Sequence, residues 1–214
     1  MEIHPPRRIA TMKEFFKELL TITVGILIAL SLEGLLEWKH HRGLVREARA
    51  NIMSELRENQ RELKTEEQDL EKMQQQTRKL VNLVHRLESN RKAPPEQVQL
   101  TWTFAELHTT SWDTAIRTGA VSYMPYPEVK RYTQTYDLQR AFTDFQQRAV
   151  TISLEVEGLG TLTERKPESL SAAELADAER RIGIAAAGIA AMQQIAKPLD
   201  QRYEQTLNPA SGER

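Results

Sequence analysis

Hydrophobic residues follow two patterns along this chain, one continuous and one periodic, and the change between them divides it. Residues 19 to 32, Leu-Leu-Thr-Ile-Thr-Val-Gly-Ile-Leu-Ile-Ala-Leu-Ser-Leu, carry no charge. With Phe15, Phe16, Leu35, Leu36 and Trp38 at the flanks, the apolar segment reaches about 20 to 24 residues, enough to cross a hydrocarbon core of ~30 Å. This predicts one transmembrane helix over residues 12–38. Thr11-Met12-Lys13-Glu14 supplies capping-box spacing at its start. A cleaved signal peptide is the rival reading, because Ala29-Leu30-Ser31 offers small residues at cleavage-site spacing. Glu14 and Glu18 in a flank that should be basic, and the apolar pattern continuing to Leu36, favour an uncleaved anchor.

After Trp38 the apolar positions become periodic at alternating steps of three and four, the helical signature. Val45, Ile52, Leu56, Leu63, Leu70, Met73, Leu80, Val84 and Leu87 form one seam, with polar interruptions at Arg49, Asn59, Glu66 and Thr77. Val129, Tyr132, Tyr136, Phe142, Phe145, Ala149, Ile152, Val156 and Leu159 form a second, interrupted at Gln139. Leu175, Ala178, Ile182, Ala185, Ile189, Met192, Ala196, Leu199 and Tyr203 form an unbroken third. Pro94-Pro95, Pro125 with Pro127, and Gly158, Gly160 and Pro167 mark the turns between them. Ser171-Ala172-Ala173-Glu174 caps the last helix, and a shorter helix is predicted over residues 96–118, closed by Gly119.

The predicted fold is all-α. An N-terminal transmembrane helix continues into a long coiled-coil-like helix and an antiparallel, up-down-up-down helical bundle. The corresponding domains are an N-terminal tail (1–11), the transmembrane helix (12–38), a stalk with bundle (39–205) and a disordered tail (206–214). Residues 40–89 as one helix reach ~75 Å against ~50 Å for residues 127–159. The excess predicts a stalk whose Ile52 and Leu56 seam is exposed and needs a second surface, most simply a second copy. Residues 182–192 are also uncharged, but eleven residues reach only ~16 Å and are read as a buried bundle helix. Its small residues are expected to pack against the Tyr132, Tyr136, Phe142 and Phe145 side.

Charge narrows the partners. Acids and bases interleave at 28% of residues with a net charge of -1, so no broad positive field favours nucleic acid. Cysteine is absent, which excludes disulfides and thiolate-bound clusters. Arg7, Arg8, Lys13 and Lys17 before the span nearly balance Lys39, Arg42, Arg46 and Arg49 after it. A short basic tail before an uncleaved apolar segment favours a cytoplasmic N-terminus and a periplasmic helical domain.

Within the span, Thr21, Gly25, Ala29 and Glu33 recur every four residues on one stripe. Small residues let helices approach closely in lipid, so the stripe is a candidate packing surface for a second copy or another membrane protein. Glu33 lies at the edge of the apolar run, where a carboxylate reaches headgroup water beside Glu37 and Trp38.

Candidate chemistry is sparse. Glu37-Trp38-Lys39-His40 has the Glu-x-x-His spacing of carboxylate-bridged di-iron bundles, which need a second such pair and two further glutamates. His85 and His108 have no glutamate three residues upstream, and no metal or other cofactor is implied. The densest polar and aromatic stretch, residues 109–119, offers Trp112, Asp113 and Arg117 as a partner or ligand region; the same residues also suit capping and a buried aromatic anchor.

Residues 15–33 resemble a group of uncharacterised bacterial proteins with an N-terminal Gly-Ile-Leu-Ile-Ala-Leu span followed by a helical domain. The similarity is most specific over residues 11–60. Ser111-Trp112-Asp113-Thr114-Ala115 followed by Thr118-Gly119-Ala120 is similar to a recurring element of such proteins. The resemblance implies residence in a bacterial inner membrane and supplies no activity. Together these features predict a non-enzymatic, single-pass interaction or scaffold protein, assembled as a homo-oligomer or with another membrane protein through its span and stalk. The alternative is a sensory module whose bundle binds a ligand and signals through the stalk to a partner.

Overall fold

The structure, a computed structural model, describes residues 12–91, 103–157 and 166–208, with the side chains of 151–157 and 167 outside that description. Its helices are α1 (Met12–Ser89), α2 (Thr110–Arg117), α3 (Tyr126–Glu157) and α4 (Ala172–Leu207), with short 3-10 turns at Ala120–Tyr123 and Pro167–Ser169. The described residues contain no strand, in agreement with the all-α reading. Two compact units, residues 1–47 and 48–214, meet within α1.

In the first unit α1 carries its apolar residues outward. From residue 19 to 32 the large apolar side chains range from 44% exposed at Val24 to 64% at Leu20. This helix is long and apolar enough to cross a membrane. Three hydroxyls inside the apolar run are satisfied within the helix. Thr21 donates to the Lys17 carbonyl at 2.9 Å, Thr23 to Leu19 at 2.8 Å and Ser31 to Leu27 at 2.6 Å. Back-bonding of this kind lets a hydroxyl enter an apolar medium without an external partner. The predicted cap at Thr11 lies outside the described residues.

In the second unit the three apolar seams turn inward. Ile52, Leu56, Leu63, Leu70, Met73, Leu80, Val84 and Leu87 are buried on α1, and every predicted seam position of α4 is buried. On α3, Tyr132, Tyr136, Phe142 and Ala149 are buried and Phe145 is half-buried. Ile152 and Val156 lie outside the described side chains, and Pro94, Pro95, Leu159 and the glycines at 158 and 160 outside the described residues. Ala185 and Ala196 take the inward positions of α4, whereas Gly183 faces outward.

Paired side chains give the directions. Arg49 with Glu128, Asn59 with Gln139 and Glu66 with Gln146 show α3 parallel to α1. Gln60 with Asp200, Gln74 with Gln193 and His85 with Glu179 show α4 antiparallel to it. The up-down-up-down order therefore stands. At one end, Leu80, Leu83, Val84 and Leu87 of α1 share an apolar cluster with Leu170, Leu175, Ala178 and Ile182.

Three expectations are corrected. Among its described residues, the helix predicted over 96–118 is helical only at Thr110–Arg117. Residues 103–109 are a non-helical strap, and 96–102 lie outside the described residues. Thr101, Trp102, Thr103, Phe104 and Thr109 are β-branched or aromatic and disfavour helix locally. The exposed seam predicted at Ile52 and Leu56 is instead fully buried, so the bundle covers α1 to that level and these residues need no second copy. Finally, α4 continues to Leu207, two residues beyond the predicted boundary; residues 209–214 of the predicted tail lie outside the described residues.

Local signals behave as expected at two helix ends. Ser171 Oγ accepts the Glu174 amide while the Glu174 carboxylate accepts the Ser171 amide, a reciprocal cap. Gly119 adopts φ +76°, closing α2 with its amide donated to the Ile116 carbonyl at 3.1 Å. An added Cβ at Gly119 meets nothing, so the cost of Gly119→Ala is backbone strain alone. It should lower stability by about 1 kcal/mol in chemical unfolding of the detergent-solubilised chain. An unchanged midpoint would contradict the left-handed turn.

Candidate functional site

The polar interruptions in the seams converge on the strap. Asn59 on α1 accepts the His108 amide at Oδ1 (2.9 Å) and donates from Nδ2 to the His108 carbonyl (2.7 Å). Gln139 on α3 donates to the same carbonyl at 2.9 Å. Its Oε1 accepts Asn59 Nδ2 at 3.1 Å and the Tyr203 hydroxyl of α4 at 2.8 Å. Four passes of the chain thus meet in one buried cluster.

The arrangement repeats one step along. Glu66 Oε2 accepts the Ala105 amide at 2.9 Å and Gln146 Nε2 at 2.7 Å, while Gln146 also reaches the Ala105 carbonyl at 3.2 Å. Asn59 to Glu66 and Gln139 to Gln146 are both seven-residue steps, ~10.5 Å of helix. The strap makes the same advance in three extended residues, ~10 Å. Helices and strap therefore stay in register, and that match is the physical reason this limb is extended.

The predicted Trp112 region lies at the next level. Trp112 is buried, stacked on Tyr136 with centroids 5.7 Å apart and tilted against Tyr132 at 5.9 Å. Tyr136 donates to Glu55 Oε1 at 2.7 Å, and Glu55 Oε2 accepts the Ser111 amide at 2.8 Å. Asp113 accepts the Thr109 hydroxyl at 2.9 Å and faces Arg140 at 3.9 Å. Arg117 is exposed. Trp112 is thus an anchor for α2, Asp113 holds its first turn, and Arg117 does not share their buried setting.

Beyond Tyr132, Glu128 receives Arg49 through two contacts, Nε to Oε1 at 2.7 Å and Nη2 to Oε2 at 2.6 Å. This hydrogen-bonded pair raises the Arg49 pKa above its ordinary value. Burial, reinforced by the Glu128 charge, pushes Tyr132 up to about 12. Tyr136 and Tyr203 are pushed up further, chiefly by burial. These phenols stay protonated and act as donors. The carboxylates at 55, 66 and 128 accept from the chain's own amides, phenols and guanidinium, so the geometry holds the bundle together.

The packing candidates Thr21, Gly25, Ala29 and Glu33 lie in the first unit and are exposed. Thr21 spends its proton on the Lys17 carbonyl, and a Cβ at Gly25 meets nothing within its own chain. Glu37 pairs with His41 at 3.9 Å rather than with the His40 of the predicted spacing. His85, Glu88 and Glu179 bring ligand atoms within 4.8 Å of one another on an exposed surface, where His85 and Glu179 form a 3.0 Å contact between α1 and α4. The seam periodicity exposed Asn59, Glu66 and Gln139 as interruptions. Gln146, Glu55 and the strap they hold carried no such signal.

No protein-family model, curated protein or solved structure matches this chain, so the similarity described for residues 11–60 and 111–120 names no family, and the arrangement is read from its own geometry.

Glu66 gives a pH test. It is 2% exposed, its Oε1 has no hydrogen-bond partner among the described residues, and burial raises its pKa from 4.5 to about 6. A raised folded-state value means the protonated form suits the fold. Its stabilisation is complete below pH 4.5 and lost as pH rises through 6. The difference of about 1.5 units corresponds to about 2 kcal/mol. Relative to the parent chain, Glu66→Gln should gain up to about that amount between pH 4.5 and 7.5 in thermal unfolding. A difference that does not vary with pH would contradict a buried, strained carboxylate.

Proposed function

We propose that this chain is a non-enzymatic, single-pass membrane scaffold of a bacterial inner membrane, with a cytoplasmic N-terminus and a periplasmic helical domain. The observation that carries the reading is the exposure of residues 19–32. An uncharged surface of that length, with its hydroxyls bonded inward, is suited to lipid and ill suited to water. The buried side chains of Glu55, Asn59 and Gln139 support the scaffold reading over an enzymatic one, because they are engaged with the chain's own backbone and with one another. The sensory alternative relied on Trp112 as a recognition surface, and that ring packs between Tyr132 and Tyr136.

Association is assigned to the span. With Ile52 and Leu56 buried, the stalk seam gives no independent reason for a second copy, whereas Gly25 and Ala29 leave an open strip on an exposed helix. The full-length protein in mild detergent should show a defined oligomer or a stoichiometric membrane partner by light scattering. Gly25→Leu with Ala29→Leu should reduce that mass to the monomer while leaving bundle unfolding unchanged. An unaltered mass would remove the stripe as a packing surface, and a monomeric parent chain with no co-purifying partner would contradict scaffolding through the span.

A further inference from the structure

The two turns of α1 that follow the apolar segment carry Lys39, Arg42 and Arg46 with no acid between them. Gly43 interrupts this face. An added Cβ there meets nothing, and an open notch of about 680 Å³ is lined by Leu36, Lys39, His40, Gly43, Leu44 and Arg46, with Glu47 at the end away from the apolar run. Arg42 is engaged elsewhere on the helix, its guanidinium 4.5 Å from the centroid of the Trp38 ring. Lys39 and Arg46 are left as the cations flanking the gap, and both are exposed.

Position gives the notch its ligand. The headgroup layer is ~5–7 Å deep on each side of the hydrocarbon core, about four residues of helix. Counted from Leu36, that depth covers Trp38, Lys39 and His40, the membrane-proximal half of the notch, and ends about three residues (~4.5 Å) short of Gly43. Helical side chains lean towards the N-terminus, so Arg46 and Glu47, three and four residues on, both lean back over Gly43 towards the bilayer, with Lys39 and Arg46 giving the notch two cations against one carboxylate. Trp38 is the residue type that settles at this boundary. A lipid phosphate between Lys39 and Arg46 would keep its acyl chains beside Leu36.

We propose that the Gly43 notch binds the headgroup of an anionic phospholipid, with Lys39 and Arg46 holding the phosphate and the missing side chain at 43 making room for it. The inference rests on the membrane-spanning reading of residues 12–38. It goes further by fixing one lipid class to one face of the helix.

The test reconstitutes the full-length chain into vesicles of phosphatidylcholine alone or of phosphatidylcholine with phosphatidylglycerol. Flotation reports insertion, and native mass spectrometry reports the lipids retained after extraction. The parent chain should float with both vesicles and retain phosphatidylglycerol above its share of the mixture. Lys39→Gln with Arg46→Gln should float equally and lose that enrichment by at least about fivefold, the factor expected for even one basic residue near an anionic surface. Gly43→Leu keeps every charge and fills the gap, and it should lose the enrichment too. Enrichment that survives Gly43→Leu would overturn the notch in favour of diffuse attraction, and enrichment that survives the double glutamine variant would overturn the cations. A parent chain that fails to float would contradict the span itself, a different failure from an inserted chain with no lipid preference.

Discussion

Asn59 and Gln139 bring primary amides into the centre of a helical bundle, where a polar group without a partner costs about 1–3 kcal/mol. Their partners are fixed in space: the two backbone groups of His108, each other, and the Tyr203 hydroxyl. Slipping α3 against α1 by one turn would separate Asn59 from Gln139 and leave the His108 carbonyl with one donor fewer. The apolar seams tolerate such slips far better, because leucine and alanine positions recur every three or four residues. The cluster therefore sets the register, and the apolar contacts fill in around it. Glu66 and Gln146 repeat the device at Ala105, which is why the strap is held at two levels rather than pivoting on one.

The cost of this arrangement falls on Glu66. It accepts two donors at one oxygen and, among the described residues, none at the other, and burial makes its charge unfavourable near neutrality. Glu55 divides its oxygens between the Tyr136 hydroxyl and the Ser111 amide. The bundle is thus specified by polar contacts and stabilised by apolar ones. The first unit inverts this pattern, with internally bonded hydroxyls and an apolar surface turned outward.

Much of the fold was legible in the sequence. The period of the apolar residues placed the described positions of all three long seams, since burial of one helix face depends only on spacing. Ser171 with Glu174, and Gly119, located helix ends through chemistry confined to neighbouring residues. The strap was not legible, because residues 103–109 take their conformation from amides and carboxylates 31 to 49 positions away in sequence. Asn59, Glu66 and Gln139 were visible as breaks in a pattern, yet nothing in one chain's spacing says which backbone a buried amide will meet. The stalk seam failed for a related reason: helix lengths predicted an uncovered end, but Trp112, Tyr132 and Tyr136 pack at the level of Glu55, where that end was expected.

Hydrogen exchange at the amides of Ala105 and His108, followed by NMR on the full-length chain in detergent, tests the polar-register account most directly. Both are donated to side chains on α1 rather than to any helix or strand. The account predicts protection comparable to the middle of α3, with Asn59→Ala abolishing it at His108. Exchange at the rate of an unstructured peptide in the parent chain would contradict the claim that the strap is locked between α1 and α3.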